Sequence, residues 1–148
     1  MKNFEIPTVK LLYDDPVEFN DKSHVVSRGD AIEIFKTTLK DCMQHHEELH
    51  ILLLNSALRL LGVYKHSVGG ELTTSFEPKF IMQAIILSNA YAVIVGHNHP
   101  SGNIKPSEVD KTATRQLVSI CKTFNIKFID HFILSANSFY SFDENCLL

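Results

Sequence analysis

Apolar residues recur at helix and strand spacings in turn along most of the chain, which predicts alternating helices and strands. Residues 27–42 carry apolar positions three and four apart, and Ser27 to Asp30 resembles a capping box, so a first helix is expected there. The runs 49–55 and 59–68 are dense in apolar residues and predict a strand hairpin, although periodicity alone also fits a buried helix.

The second half of the chain continues the alternation. Pro78 stands near the start of a predicted helix over residues 77–89, and YAVIVG at 91–96 predicts a strand buried on both faces. A loop rich in Pro and Gly leads to a helix over 107–124, and closing strands are expected at 126–134 and 139–142. This order predicts an α/β domain over residues 27–148, preceded by an extension at 1–26 in which 8–13 fits a strand and the rest a loop.

Composition narrows the class of protein. With 148 residues, 45% hydrophobic and 21% charged, the chain suits one globular domain and is unlike a disordered segment. The net charge of −3 excludes a strongly basic nucleic-acid-binding surface over the whole chain. The three cysteines form no CxxC pair, and no apolar run reaches the length of a signal peptide or membrane span, so a cytoplasmic protein without membrane contact is expected.

The candidate chemistry begins where the third predicted strand ends. His97 and His99 are two residues apart, so on extended backbone both imidazoles project from one face, as two ligands of a single ion must. Asp110 would lie in the first turn of the following helix and could return a carboxylate to the same point. Two imidazoles and one carboxylate leave one tetrahedral position of Zn²⁺ open for water, which is typical of a catalytic zinc site.

Each half of this motif also has a purely structural interpretation. Ser107 to Asp110 fits a capping box, and histidines in a loop are often only solvated. The joint pattern of HxHP, six residues, Ser, two residues and Asp nevertheless arises by chance about once in ten thousand sequences of this composition. The combination therefore predicts one catalytic zinc ion held by His97, His99 and Asp110.

A second metal motif competes with the first. His46, Glu47 and His50 form a literal HExxH, which on a helix would place two imidazoles on one face beside a general base. Its chance frequency is about one in forty, and the apolar run after His50 favours a strand over the helix that the motif requires. Glu47 is the expected general base under either interpretation, because a zinc-activated water needs a carboxylate to take its proton during attack.

From about residue 27 to 142 the sequence resembles the JAMM (JAB/MPN) metalloprotease superfamily, and in particular its RadC-like branch. The family's order is an early Glu, then HxHP, then SxxD, and the matching residues are Glu47, His97, His99, Pro100, Ser107 and Asp110. HNHPSG at 97–102 is the RadC-like wording of the motif, as are the later DH at 130–131 and YSF at 140–142.

The resemblance implies a fold and a set of roles. The fold would be a cytidine-deaminase-like single α/β domain, with a curved mixed β-sheet flanked by helices and zinc on His97, His99 and Asp110. Glu47 would act as general base and proton shuttle. Ser107 would help to stabilise the oxyanion of the tetrahedral intermediate.

The match leaves one choice of residue open and departs from the family in two places. Glu47 is preferred to Glu48 because it stands eight residues before Asn55, as the family's Glu does before its Asp or Asn. Lys and Phe follow Pro78 where family members often have Arg and Glu, so any role of that Glu is lost here. Residues 1–26 are too short for the helix-hairpin-helix region of longer RadC proteins, which weakens a DNA-repair role.

The resulting prediction is a zinc-dependent hydrolase, a metallopeptidase or isopeptidase that acts on an amide bond of a protein or peptide. The alternative is a non-catalytic, zinc-stabilised module that binds a protein or serves DNA repair, and the net charge argues against a nucleic-acid partner. Base deaminases are excluded because HxE with PCxxC is missing, and HNH at 97–99 lacks the dispersed arrangement of an HNH nuclease. Asp130 and His131 would face opposite sides of a strand, and a structural role is favoured for them.

Overall fold

The computed structural model describes residues 24–68 and 76–148. Within these ranges the chain forms three helices and five strands. In chain order they are α1 (Arg28–Thr38), β1 (Glu48–Leu54), β2 (Leu60–Val68), α2 (Pro78–Leu87), β3 (Ala92–Asn98), α3 (Glu108–Thr123), β4 (Lys127–Leu134) and β5 (Phe139–Ser141). The α/β class predicted from the alternation is confirmed, whereas the strand expected at 8–13 lies outside the described residues.

The strands form one mixed sheet in the order β2-β1-β3-β4-β5. β1 pairs antiparallel with β2 and with β3, so it lies inside the sheet, and β5 pairs antiparallel with β4. Among the described strands only β3 and β4 are parallel, and α3 makes the crossover between them. The sheet is therefore antiparallel on both sides of a single β3-α3-β4 unit.

Apolar side chains cover both faces of the sheet. One face packs against α1, where Phe35 and Leu39 meet Leu52 of β1 and Phe132 of β4. The other face packs against α2 and α3 through a second set of buried residues: Ile51, Leu53, Ile81, Ile85, Val93, Val95, Leu117 and Cys121. Because successive residues of a strand point to opposite faces, this two-sided burial explains why β1 and β3 are continuous apolar runs.

Several element ends differ from the prediction, among them the end of α2 at Leu87 instead of 89, and two of the differences bear on the candidate site. The first helix ends at Thr38 instead of about residue 42, because residues 39–46 form tight turns in which the amide of Cys42 donates to the carbonyl of Leu39. β3 continues to Asn98 because its pairing with β4 extends to Leu134, two residues beyond the predicted end at Gly96. The first difference places a buried thiol at Cys42, and the second places His97 inside the sheet.

Gly96 allows the closest approach between α1 and the sheet. A Cβ atom at this position would lie 2.7 Å from ring carbons of Phe35, a side chain that is itself fully buried. Only glycine fits here without displacing that ring. The last residue before His97 therefore fixes the distance between α1 and β3.

Among the described residues, no helix has the length and apolar character needed to cross a membrane.

Candidate metal centre

His97 and His99 present their imidazoles side by side at the carboxyl end of β3. His97 is within the strand, and the amide of His99 still donates to the carbonyl of Leu134 at 2.9 Å, so the backbone stays extended between them. The Nε2 atoms of the two rings lie 3.0 Å apart. His97 is buried and His99 is partly buried, so the pair lies at the boundary between core and solvent.

Asp110 reaches the same point from the first turn of α3. Its Oδ1 lies 3.4 Å from Nε2 of His97, and its Oδ2 lies 3.8 Å from Nε2 of His99. The carboxylate is held in place by a capping box, since Oδ2 accepts from the amide of Ser107 at 2.7 Å and from its hydroxyl at 2.6 Å. Ser107 is thus the N-cap of α3, and its predicted part in oxyanion stabilisation stays a prediction.

Glu47 completes the group from the residue that precedes β1. The pairing of Leu49 with His97 brings the start of β1 beside the end of β3. One donor atom from each of Glu47, His97, His99 and Asp110 lies within 4.8 Å of the others, and these four side chains form the HxHP cluster. Glu48 does not join it, because its carboxylate contacts His46 and His50 instead. The structure therefore groups Glu47, and not Glu48, with the predicted ligands.

Asn98, between the two histidines, fastens the segment that carries Glu47. Its side chain is fully buried, and Nδ2 lies 2.8 to 3.3 Å from three backbone carbonyls of the 42–46 turns. Oδ1 accepts from the amide of Glu48 at 2.9 Å. These bonds lie on both sides of Glu47 in the sequence. The residue between the two imidazoles thus sets the position of the expected base.

Hydrogen bonds also fix which nitrogen of each imidazole carries the proton. Nδ1 of His99 lies 2.6 Å from the carbonyl oxygen of Asn103. A carbonyl can only accept, so Nδ1 of His99 is the protonated nitrogen. In the neutral ring, Nε2 of His99 then directs its lone pair toward His97 and Asp110.

A longer chain of hydrogen bonds does the same for His97. The hydroxyl of Thr114 donates to the carbonyl of Asp110 at 2.6 Å, so its oxygen accepts from Nδ1 of His131 at 2.7 Å. Nε2 of His131 is then the acceptor for Nδ1 of His97 at 2.8 Å. His97 is left with its lone pair on Nε2, facing that of His99. Second partners of this kind orient the histidine ligands of metal sites.

Burial keeps the two inner imidazoles neutral. It lowers the pKa of His97 to about 4, although the nearby Asp110 carboxylate opposes this shift. Burial also holds the pKa of His131 well below its usual value. Neutral imidazoles are the form that binds a metal ion. Both rings are therefore ready as ligand and support at neutral pH.

The spacing of the three predicted ligands fits zinc. For zinc bonds of about 2.0–2.1 Å, two tetrahedral ligand atoms lie about 3.3 Å apart. The two imidazole Nε2 atoms are 3.0 Å apart, Oδ1 of Asp110 lies 3.4 Å from that of His97, and Oδ2 lies 3.8 Å from that of His99. Two lone pairs that face each other at 3.0 Å repel unless a cation lies between them, so the donor set itself favours an ion.

Neither Thr114 nor the part that His131 plays beside His97 was predicted from the sequence. Strand parity contained the signal for His131, because it pairs with Val95, which shares a face of β3 with His97. Asp130 faces the other way, and its carboxylate accepts from the hydroxyl of Ser141 at 2.6 Å. Phe142 stacks on the ring of His131 with centroids 4.6 Å apart. The DH and YSF motifs are thus packed together, with Asp130 fastening β5 and His131 reaching the HxHP cluster.

A mixed sheet flanked by helices, with the HxHP histidines at the end of one strand and the SxxD aspartate on the next helix, defines a JAB-type domain. The profile of the RadC-like JAB domain matches residues 25–147, so the chain belongs to the RadC-like family.

Curated relatives agree with this assignment. The chain is 33% identical over 129 residues to a UPF0758 protein of Chlorobium chlorochromatii, with 87% of this chain and 57% of the relative covered. It is 38% identical over 142 residues to a UPF0758 protein of Cyanothece sp., covering 96% of this chain and 53% of the relative. The UPF0758 protein YfjY of Escherichia coli is 36% identical over 110 residues, with 74% and 69% covered. The chain therefore spans just over half the length of the first two relatives.

Proposed function

We propose that this protein is a zinc-dependent hydrolase of an amide or isopeptide bond in a protein or peptide substrate. His97, His99 and Asp110 would hold the ion. The observation that carries the proposal is the convergence of two imidazole lone pairs and a carboxylate at 3.0 to 3.8 Å, with a second carboxylate, Glu47, within 4.8 Å. Three protein ligands and a nearby base are typical of a catalytic site and not of a closed structural one.

The bound ion would supply a Lewis acid and lower the pKa of water to about 7. Glu47 would take the proton of the attacking water and return it to the departing amine. Its position before β1 suits this task, because it approaches the cluster from a different element than the three ligands do. The bonds of Asn98 to the segment on either side would keep the carboxylate in reach during both transfers.

Ser107 would take part through its hydroxyl. That hydroxyl donates to Oδ2 of Asp110 at 2.6 Å, while the amide of Ser107 donates to the same oxygen. In the reaction the hydroxyl would turn to the oxyanion of the tetrahedral intermediate, and the amide would keep the carboxylate in place. A positioned donor of this kind stabilises the charge that develops in the transition state.

Glu47→Gln tests the proposal, because it keeps the size of the side chain and removes the basic carboxylate. We expect zinc binding and folding to persist while cleavage of quenched peptide pools or isopeptide-linked conjugates slows by about 10²–10⁴. Glu33→Gln, on the exposed side of α1, is the matched control and should cleave like the wild type. A chelator should abolish the activity of the wild type and of Glu33→Gln.

The same experiment can reject the enzyme. If the zinc-loaded wild type and Glu47→Gln bind one partner equally well and neither cleaves it, the hydrolase proposal is wrong. The domain would then be a zinc-stabilised binding module. Metal content measured beside activity separates this outcome from a simple failure to load the ion.

A further inference from the structure

A second group of metal-binding side chains lies next to the HxHP cluster but does not belong to it. Cys42, His46 and Glu48 each offer a donor atom, and the three atoms lie within 4.8 Å of one another. We call this group the thiol cluster. Its residues come from the turns after α1 and from the first residue of β1, on both sides of Glu47 in the sequence.

The carboxylate of the thiol cluster has two hydrogen-bond donors but no lysine or arginine in direct contact among the described residues. The Glu48 side chain is only 14% exposed, and its carboxylate accepts from Nε2 of His46 at 2.7 Å and from Nε2 of His50 at 2.8 Å. No lysine or arginine within the described ranges lies within 4.0 Å of this carboxylate. A cation in contact would stabilise this largely buried carboxylate beyond its two hydrogen bonds, so the cluster favours one.

The chemistry of the donors selects the class of cation. A thiolate, an imidazole and a carboxylate together suit zinc, whereas magnesium and calcium prefer oxygen ligands alone. A thiolate on Cys42 and the carboxylate of Glu48 would also neutralise the double charge of the ion. A neutral assembly of this kind fits a partly buried position better than a carboxylate with a net negative charge does.

Two of the proposed ligands, His46 and Glu48, already have hydrogen-bond partners that could support them. Nδ1 of His46 lies 2.7 Å from Nδ1 of His45, so a proton moved to Nδ1 of His46 would find an acceptor there and free Nε2 for the ion. His50 is fully buried, and its two ring nitrogens contact Glu48 and the hydroxyl of Thr38. His50 would therefore orient the Glu48 carboxylate as His131 orients His97.

We propose that Cys42, His46 and Glu48 hold a second zinc ion at a site separate from the HxHP cluster. The ion would link the turns after α1 to the first residue of β1. Since Glu47 lies between His46 and Glu48, the ion would hold the backbone of the expected base. It would do so from the α1 face of the sheet, opposite the face of the HxHP cluster. This inference does not depend on hydrolase activity.

Cobalt titration of the metal-free protein distinguishes the two sites, because a thiolate ligand adds a charge-transfer band in the near ultraviolet that nitrogen and oxygen ligands do not give. We expect the wild type to bind two equivalents of Co²⁺ and to show that band. Cys42→Ser should lose one equivalent and the band. Cys121→Ser, which changes a buried cysteine of the core outside the cluster, should lose neither.

Two further variants keep the test decisive. His46→Gln changes a partly exposed side chain, so it should fold even if Cys42→Ser does not, and it should also lose one equivalent and weaken the band. His99→Ala should lose the other equivalent and keep the band. This result separates loss of metal from the HxHP cluster from loss of metal from the thiol cluster. A wild type that shows no thiolate band, or a band that survives in Cys42→Ser, would overturn the second site.

Discussion

The two clusters beside β1 both combine imidazoles with carboxylates but distribute their ring protons in opposite ways. In the HxHP cluster, the ring protons of His97 and His99 point outward, to His131 and Asn103, and two lone pairs point inward. In the thiol cluster, His46 directs Nε2 at the Glu48 carboxylate, and the neighbouring His50 does the same. The first arrangement is open at its centre to a cation, whereas the second is closed by hydrogen bonds.

This difference shows that residue types alone do not determine readiness for a metal ion. The HxHP cluster can accept zinc without moving a proton between ring nitrogens. The thiol cluster must shift the proton of His46 and release that of Cys42, a thiol whose pKa is raised to about 11 by burial and then by the neighbouring Glu48 carboxylate. Zinc should therefore fill the HxHP cluster first.

The largest expected effect is the loss of metal from the HxHP cluster in His99→Ala. Removal of one of three ligands should abolish binding of this ion at equimolar zinc, because two remaining donors hold it too weakly. Metal content after dialysis, measured by mass spectrometry, checks the result. His24→Ala, a histidine outside both clusters, should retain the wild-type content, and an unchanged content in His99→Ala would contradict the assignment of ligands.

Ser107→Ala should separate capping from catalysis. The loss of the cap should cost about 0.5–2 kcal/mol of stability, and the loss of an oxyanion donor should lower kcat by about 10²–10³. Ser27→Ala is the matched control, because Ser27 and Asp30 make the same capping box at the start of α1. It should lose similar stability in thermal unfolding with kcat unchanged. Equal kcat in the two variants would leave Ser107 with the cap alone.

A smaller effect is expected for His131→Leu, which removes the acceptor for Nδ1 of His97. Loss of such a partner lowers metal affinity by about 10- to 100-fold. Competition with a chromogenic chelator gives the affinity of the HxHP cluster. His131→Gln keeps an oxygen that can accept the bond and should recover part of it, whereas equal affinities in both variants would mean that the ring only fills space.

Gly96→Ala should disturb neither cluster directly. The added methyl group meets the buried ring of Phe35, so an overpacking cost of about 1–3 kcal/mol is expected in denaturant unfolding. Because Phe35 lies on the α1 side of the sheet and His97 points to the other face, the metal content of the HxHP cluster per folded molecule should stay at the wild-type value. A selective loss of one metal would show that the position of β3 matters to that cluster alone.

Local signals explain what the sequence predicted. Ser27 and Ser107 both cap helices as expected, since each capping box lies within four consecutive residues. The convergence of His97 with His99 follows from strand periodicity, and that of Asp110 from its place in the first turn of α3. Each of these predictions needed no knowledge of distant residues.

Contacts between distant elements escaped prediction. The link from Thr114 through His131 to His97 depends on the register of β4 against β3 and on where α3 crosses, and neither is readable from a single sequence. The thiol cluster depends on the end of α1 at Thr38, because a helix continued to residue 42 would have carried Cys42 in a different direction. The two histidines of the HExxH motif therefore contact the carboxylate of Glu48, and not that of Glu47, the expected base.

The bonds of Asn98 have a consequence for how this chain tolerates change. Surface turns ordinarily accept insertions and deletions. The turns at 39–46 are anchored by the Asn98 amide, which contacts carbonyls at Cys42, Met43 and His46. A residue gained or lost there would bring different carbonyls to the same side chain and shift Glu47 along the strand. Exposed positions in these turns can therefore vary in identity, while the length of the segment is fixed from within the sheet.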